Sequence, residues 1–291
     1  MNNQADFTID TIEVVVKGKG KYQVNKGTPV GELCASLQKD HPYQIVAVII
    51  NNTIRNLHYR LQNDCAMELV DMSKAAGLRI YNRSVCFLLV KACRDLFPGR
   101  TLMVKHTLSN GLFCEFLNQE TNDNEVEQIQ ERMREIVELD LPINHYLVEN
   151  EEARRIFSRQ GQEDKLKLLR YRDKEGTHVY ELDGLYENSY GHMVNRTGML
   201  KKFKLLYHPP GMILRTPEID DIELVKPYRV QPKLAMIHGE AKDWAEMLEV
   251  PHVAALNEMI VKGKIDDLIR VNEALHEKKI AYIADMISRN P

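Results

Sequence analysis

His106, in VKHTLSNG, stands at the end of a predicted strand, a place from which an imidazole can act as a general base. No carboxylate or nucleophile can be assigned beside it from the sequence, so the favoured reading is a hydrogen-bonded structural histidine. His276 and Glu277 begin a His-Glu-x-x pattern, but Ile280 stands where the second zinc-binding histidine belongs, which voids the motif. A phosphate loop needs Gly-x-x-x-x-Gly-Lys-Ser/Thr, so that backbone N–H groups wrap the phosphates while lysine neutralises them. Gly18-Lys19-Gly20-Lys21 has the wrong spacing, and the run from Gly191 to Gly198 lacks the Lys-Ser ending. The five cysteines, Cys34, Cys65, Cys86, Cys93 and Cys114, form no Cys-x-x-Cys pair and read as buried thiols of a reducing compartment. Cys86 and Cys93 lie two turns apart on an apolar helix face, where small core residues are the simpler reading than a metal or redox site. Met193, Met199 and Met212 read as core fillers, and Lys201-Lys202 as a solvated basic spot.

These residues sit in a chain of 291 with 44% hydrophobic and 28% charged content, enough for two or three domains that fold without metals or disulfides. A net charge of −3 with both signs interspersed leaves no basic stripe for strong nonspecific nucleic-acid binding, so any RNA contact would be local. MNNQADFTID has no apolar signal core, and no run approaches the roughly 20 apolar residues that cross a bilayer. A cytoplasmic protein with no membrane partner is expected.

Within residues 12–71, IEVVV, KYQVN, a helix, IVAVIIN and AMELVDM predict a strand, strand, helix, strand, strand order, the pattern of a ubiquitin-like β-grasp. Thr28 and Pro29 are expected to open the helix, with the hydroxyl accepting a free N–H and proline at the first helical position. A helix is predicted over 82–96, with Val85, Leu88, Leu89, Ala92, Cys93 and Leu96 as its buried stripe and Pro98-Gly99 as its stop. Strands TLMVKH and GLFCEFL and the amphipathic helix EVEQIQERMREIVEL follow. From Glu218 onward, PEIDDIELVKPYRVQP reads as a proline-punctuated connector to three helices. The last helix carries an apolar face, including Ile269, Ile280, Ile283 and Ile287, that needs a partner, and Trp244 is placed to anchor the region. The expected class is α+β, with segments 1–72, 73–217 and 218–291.

The element order of the first segment and its KGTPVGEL turn resemble the TGS domain of threonyl-tRNA synthetase. LRIYNRSVCFLLVKACRDLFPGRTLMVKHTLSNGLFCEF resembles the start of that family's second additional domain, the editing-type fold shared with alanyl-tRNA synthetase. The pattern Glu152, Ala153, Arg154, Phe157 extends the likeness. That family holds zinc with His-x-x-x-His and Cys-x-Gly-Pro-His; this chain has Arg83 and Phe87 at the first pair, Ser189 and Met193 at the second, and His192 one residue aside. A guanidinium and a benzene ring cannot coordinate a metal, so the resemblance implies a retained scaffold with no catalytic or metal-binding residue. Arg83, Ser84, Phe87, His106, Tyr190, His192 and Arg196 are the candidates for lining the inherited cleft. They would bind a nucleoside, nucleotide or RNA, with Arg83 reading equally well as a solvated helix-start residue.

RIYNRSVCFLLVKA, VKHTLSNGLFCEF, YGHMVNRTG, HPPGMILRTP, QPKL and EALHEKKIAYIADMI together resemble the front part of a bacterial family related to uridine kinase and phosphoribulokinase, in which a P-loop kinase domain follows. The expectation from this resemblance is an accessory region, sensing substrate, docking or regulating, of an ATP-dependent nucleoside kinase. As a truncated piece or natural fragment it would transfer no phosphate by itself. It would carry no cofactor, since ATP and Mg belong to the absent kinase domain, and that domain would be its partner. The alternative is a freestanding tRNA-binding or trans-editing-like protein. A third reading is a structural part whose helical tail forms a homo-oligomer.

Overall fold

The computed structural model describes residues 10–172, 174–250 and 252–289; residues 1–9 of the segment scanned above for a signal core, Pro251 of the predicted second tail helix and the closing Asn290-Pro291 lie outside them. The class is α+β, with helices at the C-terminal end. Among the described residues, those up to Val148 and Gly176–Val230 pack as one unit, and those of Glu149–Glu175 with those from Gln231 onward as another. The expected boundaries at 72/73 and 217/218 both fall inside the first unit.

In the first unit, β1 (Thr11–Val16) and β2 (Gly20–Asn25) form an antiparallel hairpin, followed by α1 (Val30–Gln38), β3 (Ile45–Ile50), the short β4 (Thr53–Arg55) and β5 (Cys65–Asp71). The sheet order is β2-β1-β5-β3-β4, with β1 and β5 parallel. This is the β-grasp arrangement, and β4 is the one strand beyond the expected order. Ile12, Val14 and Val16 alternate inward and bury against Val30, Leu33 and Leu37 of α1, as the twofold strand period and the helical repeat require. Thr28 does not cap α1, and Pro29 is the cap residue itself. The opening N–H groups are met by backbone instead: Val30 donates to the carbonyl of Tyr59 at 2.8 Å and Gly31 to that of Leu57 at 2.9 Å.

Directly after β5 comes α2 (Ala75–Leu96), which starts seven residues before the predicted helix. The polar residues Arg79, Asn82 and Arg83 and the lack of a side-chain cap at Lys74 hide this start, while Ile80 and Tyr81 prolong the buried stripe. The chain continues through β6 (Leu102–Leu108), β7 (Gly111–Phe116), α3 (Asp123–Glu138) and β8 (Asn144–Val148). It then enters the second unit as α4 (Asn150–Arg159) and α5 (Glu163–Leu169). It returns as β9 (Thr177–Leu182), β10 (Leu185–Asn188), a 3-10 turn at Thr197–Met199, β11 (Lys204–His208) and β12 (Gly211–Arg215). Two antiparallel sheets result, β11-β12-β7-β6 and β10-β9-β8, sharing a core with α2 and α3. Asn122 and Glu125 form a reciprocal capping box at the start of α3.

The connector after β12 is fastened to this unit. Buried Arg215 donates to Glu218 at 3.1 Å and to the Lys226 carbonyl at 2.6 Å, and Asn110 donates to Glu218 at 2.9 Å.

In the second unit, α6 (Pro232–Met247), α7 (Val253–Val261) and α8 (Ile265–Arg289) match the three predicted tail helices. Phe157 and Ala153 of α4 and Ala254 of α7 are buried, whereas α6 and α8 bury none of their residues. Lys279 of α8 pairs with Glu240 of α6 at 2.8 Å, and Ile269, Ile280, Ile283 and Ile287 remain exposed.

Candidate functional site

The helix α2 carries Arg83 and Phe87 one turn apart, and the loop after β10 carries Ser189 and Met193. Phe87 and Met193 are buried in the apolar core. Ser189 Oγ is occupied within its own loop, donating to the Gly191 carbonyl at 3.1 Å and accepting from the Gly191 N–H at 3.3 Å. Arg83 Nη1 donates to the His192 carbonyl at 2.7 Å, and Gly191 lets the guanidinium lie against its Cα, where any Cβ would collide with it. These four residues therefore do not fit a zinc ion: two are packed as hydrocarbon and two are tied to backbone. Among the described residues, no group of three His, Cys, Asp or Glu side chains is arranged to hold a metal.

Ser84 is fully buried and donates to the Ile80 carbonyl at 2.8 Å while accepting from the Val194 N–H at 2.9 Å. It fastens the loop to α2 and presents nothing to a ligand. Tyr190 points into solvent with 78% of its surface exposed. His106 lies on β6 beside Phe113, with ring centroids 5.5 Å apart, in an aromatic group that includes His208. Arg196 grips Asp140 from its Nε at 2.9 Å and lines a different cleft of about 710 Å³ with Arg134, Lys201 and Phe203. Lys202, read with Lys201 as one basic spot, is paired with Glu223 at 2.6 Å. Of the expected cleft residues, Arg83 and His192 come together; Phe87, His106, Tyr190 and Arg196 go elsewhere.

Next to Arg83 and His192 the fold assembles residues that the sequence did not single out. In the β8–β9 register His145 pairs with Tyr180 and Leu147 with His178, which puts His145, Tyr180 and His178 on one face. The His145 and His178 rings stack at 5.2 Å, with His145 Nε2 3.0 Å from His178 Nδ1. Asn56 Nδ2 lies 3.2 Å from His145 Nδ1, so one tautomer of His145, accepting at Nδ1 and donating at Nε2, serves both neighbours. His192 Nε2 donates to the Ile54 carbonyl at 3.0 Å, and His58 Nε2 to the Ile143 carbonyl at 2.7 Å. Arg55 sits over the Tyr59 ring at 4.9 Å, and its buried Nε has no acceptor.

The electrostatics of this cluster are one-sided. Burial, then His178, His192 and His58, pushes the His145 imidazole down to about 4. Burial also lowers His192, against the pull of the Ile54 carbonyl, and Arg83, His178 and Arg55 lower it further. No carboxylate is among the groups that set the charge of either histidine. Arg55 and Arg83 converge with His145, His178 and His192, and the nearest carboxylate in register, Glu187 opposite Tyr180, is not among the groups that set the charge of His145 or His192, an arrangement that favours an anionic ligand.

A pH dependence follows. The unfolded chain protonates His145 near the ordinary histidine value of about 6.5, the folded chain only near 4. Its contribution to stability is therefore complete above about pH 6.5 and is lost as pH falls toward about 4. Because the ring is partly open to solvent, the loss is on the order of 1 kcal/mol. Urea unfolding at about pH 7 and about pH 4.5 should show His145→Gln to be less pH-sensitive than wild type; identical pH slopes would remove His145 as the source.

Burial raises four of the five thiols by the same physics. Cys34 and Cys86 are pushed up to about 12, and Cys93 and Cys114 are also raised.

No family model matches the chain. Curated relatives include threonine–tRNA ligases of Acetivibrio thermocellus, 23% identical over 197 residues, Desulforamulus reducens, 26% over 197, and Bacillus velezensis, 27% over 199. The matched parts cover 67%, 67% and 68% of this chain and 31% of each ligase. These ligases are partial homologues, and the chain spans about a third of their length.

Proposed function

We propose that this chain is an RNA-binding module derived from a synthetase, which holds the phosphates of a tRNA end at the Arg83–His192 cluster without hydrolysing an aminoacyl ester. The observation that carries this reading is the convergence of Arg55, Arg83, His145, His178 and His192 with no carboxylate among the groups that set the histidines' charge. Arg83 and Arg55 supply permanent charge in a planar donor array suited to phosphate oxygens. Neutral His145 and His192 add hydrogen-bonding groups that can take up a proton as an anion arrives. Ser84 and Gly191 act by fixing the loop that carries His192 against α2. Hydrolysis would need an activated water, and the positions that hold zinc in the resembling family are filled here by Arg83, Phe87, Ser189 and Met193.

The homologous ligases support the tRNA part of this reading; their names lend nothing to the accessory role in a nucleoside kinase. The test is fluorescence anisotropy with labelled, uncharged tRNA and a DNA duplex of equal charge, together with a deacylation assay on threonyl- and seryl-tRNA. Preferential tRNA binding without ester loss is expected. Equal affinity for the DNA, or deacylation above the rate in buffer, would defeat the proposal.

A further inference from the structure

We infer that α4 and α5 form a second phosphate-binding site, a cleft of about 530 Å³ lined by Arg154, Arg155, Arg159, Arg170, Ser158 and Leu166. It rests on the RNA reading above for its preferred occupant, the backbone of an RNA strand. In α4, Arg155 and Arg159 are four residues apart, as are Arg154 and Ser158, so both rows project from one side of the helix. Arg170 caps the C-terminal end of α5, four residues after Leu166. Beneath them Phe157 is fully buried, and Arg154 donates to the Leu169 carbonyl at 3.3 Å, which locks the two helices together.

The charges in this cleft are uneven. Arg154 pairs with Glu151 and Arg155 with Glu152, each three residues back on the exposed face. Among the described residues, Arg159 and Arg170 make no side-chain hydrogen bond or ion pair within 4.0 Å, although Arg170 lies near enough to Glu258 of α7 to help lower its carboxyl. Their positions at helix C-termini explain why cations are tolerated there, since the terminal carbonyls carry partial negative charge. That does not by itself account for four guanidiniums lining one concavity that holds no carboxylate, since Glu151 and Glu152 offset only Arg154 and Arg155 and leave Arg159 and Arg170 as charge that an anion in the cleft would balance. A guanidinium offers paired N–H groups to phosphate oxygens, and four on two fixed helices match successive phosphates of a chain better than one isolated anion. The Leu166 side chain and the Ser158 hydroxyl supply an apolar patch and one further donor for the sugar between phosphates.

The experiment uses the full chain, as wild type, the double variant Arg159→Glu/Arg170→Glu, and Arg83→Ala as a control at the other site. Each is titrated with a labelled single-stranded RNA and, separately, with inorganic tripolyphosphate, over a range of salt. Thermal melts establish that the variants fold. The double variant is expected to bind RNA at least tenfold more weakly and with a salt slope shallower by about 1.4, at about 0.7 for each phosphate no longer neutralised. Tripolyphosphate should bind weakly and depend on the same two arginines. Equal RNA affinity and equal slope in wild type and double variant would overturn the site while leaving the RNA reading standing. Tripolyphosphate binding that depends on Arg159 and Arg170 without any RNA binding would instead defeat the RNA reading and keep a site for free polyphosphate. If neither ligand distinguishes the two proteins, the cleft is not a phosphate site.

Discussion

Gly77→Ala is expected to destabilise the first unit by about 3 kcal/mol, lowering the melting temperature by roughly 10 °C at about 2–4 °C per kcal/mol. At an open helix position the same change stabilises, because alanine has less backbone freedom to lose. Here the sign reverses. Gly77 is buried in the first turn of α2, and a Cβ would drive into the carbonyl of Asp71 with Val46 behind it. Backbone cannot yield as a side-chain tip can, so α2 would have to leave β5. Asp71 is itself fixed: it accepts from Ser73 Oγ at 2.5 Å and from the Ser73 N–H at 2.8 Å, and its Oδ2 lies 2.7 Å from His41. Differential scanning calorimetry decides the matter, and a melting temperature at or above wild type would mean that the close approach is not as tight as the structure has it.

Arg83→Ala is expected to weaken tRNA binding by roughly tenfold to a hundredfold, the effect of losing charge-assisted hydrogen bonds of about 1.5–3 kcal/mol. Arg83→Lys should recover only part of this, because an ammonium keeps the charge but loses the planar array. The guanidinium also ties α2 to the His192 carbonyl, so the variant must be read by melting temperature as well as by Kd. A fall in melting temperature with unchanged affinity would reduce Arg83 to a structural tie. Unchanged salt dependence would mean the same, since a guanidinium that neutralises phosphate releases counterions on binding.

Much of the fold was legible because its elements obey local rules. IEVVV alternates with a period of two and buries alternate residues, and VCFLLVKAC repeats at helical spacing and forms the buried face of α2. Where tertiary contacts replaced local signals, the structure departs from the expectation. Thr28 carries the right chemistry for a cap, yet the carbonyls of Leu57 and Tyr59 took the N–H groups first. The connector from Glu218 looks like a linker by its prolines, but buried Arg215 holds it through Glu218 and the Lys226 carbonyl.

Residue types alone show which side chains at the positions of the inherited cleft have no metal-binding atom. The arginine and phenylalanine at positions 83 and 87 offer no lone pair to a metal, which can be read from their side chains alone. What the cleft contains follows only from the folded chain. His145, His178 and Asn56 are scattered over more than a hundred residues with no motif, and strand register and sheet packing bring them beside His192. The reason is physical: a side chain's identity is local, but the charge it feels is set by neighbours that folding alone supplies.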